Sequence, residues 1–158
     1  MALTIISANS VVGGTAFSFA LSGDDLYVRS DVLLASTGST GIDVNVTETT
    51  TQVDGSVVAL GRVYNSAPEG SRLVVGQTGS MISYQSSSND AGIVFFGTGA
   101  SVDNRGQIEA PEVIAIYFGG MEAELVNSGS ITGTTGVQLA RGASQARVEV
   151  RQAPIHQG

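Results

Sequence analysis

Among the side chains of this chain, the acidic ones have the spacing that most resembles a catalytic arrangement. Polysaccharide cleavage uses a pair of carboxylates held roughly 5 to 10 Å apart. Several acids lie close together in the second half of the chain, and Arg105 lies among them. The candidates are Asp103, Glu109, Glu112, Glu122 and Glu124. Whether two of them meet depends on the structural elements that carry them.

Other catalytic groups are scarce. The only histidine, His156, follows Pro154 in a C-terminal tail, and such a tail does not hold a general base in place. Without cysteine the chain has no thiolate nucleophile, disulfide or thiolate metal site, and one imidazole cannot build a multi-histidine site. The sequence predicts no catalytic residue, no cofactor and no metal site. Calcium binding in loops such as residues 23–25 and 86–90 stays open.

Composition and charge narrow the class of protein. The 21 glycines, together with many Ser, Thr, Val and Ile residues, favour short strands and tight turns. All seven basic residues are Arg, and the net charge of -7 opposes binding to nucleic-acid phosphates. The charge is uneven, with -9 on residues 1–140 and +2 on residues 141–158. We expect an all-β protein without a nucleic-acid partner, a membrane span or a general secretory signal.

The chain repeats a phrase in its second half. Residues 102–108 (VDNRGQI) and 125–131 (LVNSGSI) align without a gap at an offset of 23, as do the residues that follow. The aligned pairs include Asn104/Asn127, Ile108/Ile131, Ile114/Val137 and Ile116/Leu139. The repeat is weaker in the earlier turns. There Val57, Met81, Ile108 and Ile131 are equivalent positions of the repeat, and the residues in excess of the period lie in the polar segment 86–90. A period near 23 with alternating apolar residues predicts a stacked solenoid.

The predicted fold is an all-β, single-stranded parallel β-helix of about five turns with terminal caps. Residues 26–142 form the repeat body, 1–25 an N-terminal cap or assembly segment, and 143–158 a last strand and basic tail. Apolar residues one period apart should stack into an interior ladder about 4.8 Å per step. Glycines should turn the corners through positive φ. Asn104 and Asn127 should tolerate a left-handed bend and stack their amides in a ladder between turns.

The Asn-x-Gly-x-Ile-x-Gly phrase resembles the repeats of right-handed parallel β-helix regions in bacterial haemolysin-type and autotransporter-type surface proteins. The likeness covers about residues 26–142. It implies the β-helix fold and a position outside the cell or on its surface, whereas the missing secretory signal fits a cytoplasmic scaffold as the alternative. The Gly-Gly-x-Gly-x-Asp nonapeptide of calcium-binding toxin repeats is absent.

The 23-residue register bears on the candidate sites. It sets Asp103 beside Val126 and Glu124 beside Ser101, so the acids form no obvious cluster. Four aromatic residues, Phe95, Phe96, Tyr117 and Phe118, should be neighbours; an offset of 21 puts Phe95 over Ile116 and Phe96 over Tyr117. An outward Phe96 and Tyr117 form either a patch for sugars or proteins, or a corner packed under a loop.

Three functions follow, in order of preference. The first is a non-catalytic structural protein that stacks head to tail into a filament or surface layer. Its contacts would join an acidic end to a basic one: Asp24, Asp25 and Asp31 with Arg141, Arg147 and Arg151. The second is an adhesin-like or carbohydrate-binding module that uses Phe96 and Tyr117. The third is a carbohydrate-active enzyme.

Overall fold

The computed structural model describes residues 2–87 and 90–151, so Pro154 and His156 lie outside the described residues. The described chain contains strands and no helix. The strands are β1 (Leu3–Ile6), β2 (Ser10–Val12), β3 (Phe17–Ser18), β4 (Asp25–Val28), β5 (Leu33–Ser36), β6 (Ile42–Val44), β7 (Thr50–Val53), β8 (Ser56–Ala59), β9 (Tyr64–Ser66), β10 (Arg72–Val75), β11 (Ser80–Ser83), β12 (Ala91–Phe95), β13 (Ser101–Asn104), β14 (Gln107–Phe118), β15 (Glu124–Asn127), β16 (Ser130–Leu139) and β17 (Arg147–Val150).

These strands form three faces of one parallel coil. Face 1 has seven strands in the order β1, β4, β7, β10, β13, β15 and β17. Face 2 contains β2, β5, β8, β11 and the first parts of β14 and β16. Face 3 contains β3, β6, β9, β12 and the second parts of β14 and β16. Each turn thus adds one strand to each face, which confirms the predicted parallel β-solenoid.

The coil makes six turns, and β17 begins a seventh. Turns 1 to 6 comprise residues 3–24, 25–49, 50–71, 72–100, 101–123 and 124–146, so residues 3–18 supply the three strands of turn 1. Turn 4 is the longest, because it includes the loop after Ser83, where the polar insertion was predicted. The predicted row Val57, Met81, Ile108 and Ile131 is paired as expected.

Period-two alternation builds the core. On face 1, Val28, Val53 and Val75 occupy one inward row and are fully buried. On face 3, Phe95 and Phe118 occupy one inward row with their ring centroids 5.3 Å apart, and Tyr64, from the neighbouring inward row, lies 5.2 Å from Phe95. Side chains at every second position of a strand point to the same side, so each turn extends the same apolar rows.

The predicted pairs Ile114/Val137 and Ile116/Leu139 are wrong, because the offset of 23 does not hold beyond Ala110. Ile114 pairs with Thr135, and Ile116 with Val137, so the offset falls from 23 on face 2 to 21 on face 3. The corner of β16 is two residues shorter than that of β14. Gly133 permits the tighter corner, since a Cβ there would lie 2.8 Å from Val113 O and Ala115 N. A gapless alignment cannot show such a change within a turn.

Left-handed residues do mark one corner, but they are not the asparagines. Between face 3 and face 1 each turn has a residue with positive φ in an equivalent position, and these residues form a row along the solenoid, while turn 6 has a second one at Gly142. The row consists of Gly23, Glu48, Gly70, Gly99, Glu122 and Gln145. Asn104 and Asn127 end strands β13 and β15 without positive φ, so the prediction of a left-handed asparagine is wrong.

Candidate functional site

The predicted aromatic pair lies on the outer side of face 3. Tyr117 points outward from β14 and Phe96 follows β12, whereas their neighbours Phe118 and Phe95 are buried. Alternation along the strand produces this division. Phe96 is 49% exposed, and its ring centroid lies 6.2 Å from that of Tyr117 at an interplanar angle of 64°. The exposed Phe96 and the half-buried Tyr117 therefore form one edge-to-face pair on the outer surface.

The predicted offset between these strands is wrong, although the two rings are neighbours. Phe95 pairs with Phe118 and Val94 with Tyr117, so the offset is 23 rather than 21. Phe96 lies one residue beyond the last paired position of β12, and from there its ring reaches back to Tyr117.

Arg62 extends the aromatic pair into a polar site. Its guanidinium carbon lies 5.9 Å from the Phe96 ring centroid. Arg62 Nε donates a hydrogen bond of 2.8 Å to Asp90 Oδ1, and Nη1 donates one of 2.9 Å to Asn65 Oδ1. The exposed fractions of the Arg62 and Asp90 side chains are 31% and 20%. This ion pair is therefore shielded from solvent more than an ordinary surface pair.

A chain of hydrogen bonds carries the site across three turns. Asn65 Nδ2 donates to Asp43 Oδ1 at 2.8 Å, which links turn 3 to turn 2. In turn 4, Gln85 Nε2 donates to Asp90 Oδ2 at 2.9 Å and the Ala91 amide donates to Asp90 Oδ1 at 2.8 Å. Since each side chain is held by the next, the outer surface here is ordered along the solenoid axis.

Asp90 is held in its charged form. Burial alone would raise the pKa of the Asp90 carboxyl, but hydrogen bonds from Arg62, Ala91 and Gln85 outweigh burial and bring that pKa below its usual value. A carboxylate of this kind accepts hydrogen bonds at neutral pH and is poorly suited to act as a general acid.

Two adjoining hollows share this network. One, of about 330 Å³, is bordered by Arg62, Asp90, Phe96, Tyr117 and Gln138. The other, of about 580 Å³, also borders Arg62 and Asp90 and extends over the corner at residues 37–40. We call the two together the face-3 groove. It runs from turn 2 to turn 6, along the solenoid axis.

The charged residues of face 1 form a second outer surface. Arg105 Nη2 lies 2.6 Å from Asp103 Oδ2, while Arg147 Nη1 lies 3.7 Å from Glu124 Oε1. Asp103 and Glu124 border the same hollow of about 260 Å³, a proximity that the sequence did not predict. The other candidate acids lie elsewhere: Glu109 on face 2, Glu112 at the corner of β14, and Glu122 in the left-handed row.

The predicted assembly residues lie towards opposite ends of the coil. Asp24 ends turn 1, where its Oδ1 accepts a hydrogen bond of 2.7 Å from the Ala2 amide, and Asp25 begins turn 2. Asp31, also in turn 2, pairs with Arg29 at 3.5 Å. At the other end, Arg141 is exposed at the corner after β16, and Arg147 and Arg151 flank Glu149.

Arg147 in β17 and Arg151 just after it have acidic partners in their own chain. Arg147 Nη2 lies 2.9 Å and Arg151 Nε 2.7 Å from Glu149 carboxylate oxygens. The hydrogen bond from Arg151 is the main cause of the lowered pKa of Glu149. The positive charge predicted at this end is therefore partly compensated within the chain.

The two ends differ in how the core is covered. At the N-terminal end Phe17 and Phe19 pack edge to face at 5.2 Å, and Phe19 is buried. At the C-terminal end Val148 continues the inward row of Leu125, yet it is 47% exposed, and Val150 is 71% exposed. Within the described residues, no strand pairs with the outer edge of β17.

The sequence did not single out Arg62, Asn65 and Asp90. Asp43 and Asn65 are 22 residues apart, close to the period, which is a signal that could have been found. Arg62 and Asp90 are 28 apart, because the long loop of turn 4 intervenes. Nothing in the sequence predicts how far such a loop returns along the surface.

Two further searches cover only residues 2–87 and 90–151. No three His, Cys, Asp or Glu side chains gather there as a metal ion would require. No helix in that part of the chain could cross a membrane.

Fold and surfaces define a three-faced parallel β-solenoid with an aromatic and polar groove on one face and, within the described residues, unpaired strand edges at both ends. Comparison with protein-family models, curated proteins and solved structures found no match.

Proposed function

We propose that this protein is a non-catalytic structural solenoid that stacks end to end on further copies of itself. The open C-terminal end carries this proposal. Val148 and Val150 belong to inward rows that are buried in other turns, but at the end strand they are 47% and 71% exposed. Covering these side chains and pairing the edge of β17 would extend both the core and the sheet.

The strand count specifies how two copies would meet. Within residues 2–87 and 90–151, face 1 has seven strands and faces 2 and 3 have six each, so β17 on face 1 lies one strand beyond the last strands of the other two faces. A second copy continues the coil without an empty strand position if its face 1 lies above face 2 of the first copy. Each copy would then advance the coil by six and one third turns, or about 30 Å at the usual strand spacing.

Charge would guide this contact rather than supply most of its free energy. Asp25 and Asp31 lie in turn 2 and Arg141, Arg147 and Arg151 at the other end. Because Glu149 and Glu124 already pair with two of the arginines, the attraction between ends is reduced. Such a head-to-tail contact does not close on itself and extends into a filament.

The test measures the mass of the particle. Light scattering and negative-stain electron microscopy over a range of protein and salt concentrations should show rods that lengthen with concentration. Their axial repeat should be close to 30 Å per copy. A protein that stays monomeric under all of these conditions contradicts the proposal.

A second candidate function is an adhesin-like or carbohydrate-binding module. The observation that favours it is the exposed Phe96 and Tyr117 pair beside Arg62, on a surface that stacking through the ends would leave free. A position outside the cell or on its surface, which the repeat resemblance implies, suits both candidates. Binding to an oligosaccharide array that is lost in Phe96→Ala and Tyr117→Ala would support it.

A further inference from the structure

We infer that the face-3 groove binds a neutral oligosaccharide chain that lies along the solenoid axis. This inference rests on the second candidate function and names the ligand class of that site. The evidence is the combination of an aromatic platform, hydrogen-bonding groups with unused capacity, a charge that disfavours anions, and the length of the groove.

The aromatic platform is supported from below. Phe96 and Tyr117 pack over Gly119, where an added Cβ would lie 3.2 Å from Phe96 Cδ1 and from Tyr117 Cε1. Glycine at this position lets both rings lie close to the backbone, and the rings fix each other at 6.2 Å. A rigid ring pair loses little conformational entropy on binding, and its outer surface suits the apolar face of a sugar ring.

Arg62 and Asp90 offer hydrogen bonds next to that platform. A guanidinium has five N–H donors, and the hydrogen bonds of Arg62 within the described residues use Nε and Nη1, not Nη2. Asp90 Oδ2 accepts one hydrogen bond, from Gln85, and can accept more. A donor and an acceptor side by side match sugar hydroxyls, which both donate and accept.

Charge selects against acidic sugars. The Arg62 guanidinium is neutralised by the Asp90 carboxylate at 2.8 Å, and the next charged group in the network, beyond the Asn65 amide, is the Asp43 carboxylate. The network therefore has an excess of negative charge, on a chain whose net charge is -7. A uronate or sialate would approach a surface of the same sign, whereas a neutral chain would not.

The length of the groove indicates a chain rather than a single sugar. The groove extends from the corner at residues 37–40 in turn 2 to Gln138 in turn 6. Four steps between turns amount to about 19 Å. Several linked rings fit over this distance, with one of them on Phe96 and Tyr117 and another near Arg62.

The test is calorimetric titration of the full chain with three series of oligosaccharides, each from two to six units: β-1,4-linked glucose, β-1,4-linked mannose, and galacturonate. At least one neutral series should bind, with affinity that rises with chain length. Phe96→Ala and Tyr117→Ala should each weaken binding by about tenfold or more. Tyr84→Ala is the matched control, because Tyr84 is 54% exposed and does not border the groove.

Arg62→Gln should weaken the neutral series by about tenfold, with the fold checked by circular dichroism. If galacturonate binds more tightly than both neutral series, the inference is wrong but the binding function stands. If none of the three series binds, both fail, and a protein partner becomes the better explanation of the patch. An equal loss of affinity in Tyr84→Ala would place the ligand elsewhere. The stacking proposal is unaffected by any of these outcomes.

Discussion

Asn104 donates a hydrogen bond of 2.7 Å from its side-chain Nδ2 to Asn127 Oδ1 in the next turn. Asn104 is fully buried, and its Oδ1 accepts a hydrogen bond of 3.2 Å from the Gly106 amide. Below it in the same row lies Val75. The inward row thus changes from valine to asparagine, and the buried amide is satisfied by the corner of its own turn and by the turn above.

Asn104→Ala should lower the free energy of unfolding by about 2 kcal/mol, because it leaves the Gly106 N–H without its side-chain acceptor and creates a cavity. Asn127→Ala should cost less, since Asn127 is only half-buried. Asn45→Ala, at an exposed position, is the control. Urea denaturation measures all three. Equal effects in Asn104→Ala and Asn45→Ala would contradict the role of the amide pair.

The left-handed corner row predicts opposite effects of glycine and alanine. Glu122 has φ 57°, where a side chain is unfavourable, so Glu122→Gly should raise the free energy of unfolding by up to about 1 kcal/mol. Gly99 has φ 70° and open space around its Cβ position, so Gly99→Ala should lower it by about 1 kcal/mol. Glu122→Ala separates backbone strain from charge. If Glu122→Ala raises the free energy of unfolding as much as Glu122→Gly does, backbone strain at Glu122 is not the cause of the stabilisation.

A buried hydroxyl without a partner predicts a stabilising substitution. Neither the Tyr64 hydroxyl nor Thr51 Oγ1 has a hydrogen-bond partner within the described residues, and both are buried. Burial raises the pKa of the Tyr64 phenol far above its usual value, and the nearby Thr51 hydroxyl offsets this only in part. Tyr64→Phe should raise the free energy of unfolding by about 1 kcal/mol in thermal or urea denaturation. A loss of stability would instead indicate an ordered water between these hydroxyls.

The Asp90 ion pair should make stability depend on pH. Because the pKa of Asp90 is lower in the folded chain than its usual value of about 3.9, its contribution is complete above that pH. The contribution is lost as the pH falls through the folded-state pKa. The difference in unfolding free energy between the native chain and Asp90→Asn should be about 1 kcal/mol at pH 6 and shrink below pH 4. A difference that is constant from pH 6 to pH 3 would contradict the pairing.

A charge at the open end should prevent stacking. Val150→Lys places an ammonium group where a second copy would cover the apolar row, so sedimentation velocity should show monomers at concentrations where the native chain forms rods. Met121→Lys is the matched control, because Met121 is 49% exposed at a corner away from the end strand. Rods formed by Val150→Lys as readily as by Met121→Lys would exclude β17 from the contact.

The main features of the fold could be predicted from the sequence alone. Ile108 over Ile131 and Asn104 over Asn127 follow from apolar alternation repeated at a fixed period, and the structure has both pairs. Alternation and period are local properties, since each strand must turn its apolar side inward and each turn needs the next one to cover it. The outward direction of Tyr117 beside the buried Phe118 follows from the same alternation.

The contacts between residues on the outer surface could not be predicted from the sequence, because they depend on how corners and loops fold. The corner after Ala110 spans two residues fewer in the following turn, and this moves Ile114 from the predicted Val137 to Thr135. The loop of turn 4 brings Asp90 to Arg62 across 28 residues. Corner and loop lengths vary without disturbing the inward pattern, because their residues lie outside the core rows. The stacked core thus follows from local sequence patterns, whereas the groove and the open end depend on changes in offset that add up from turn to turn and leave no local pattern in the sequence.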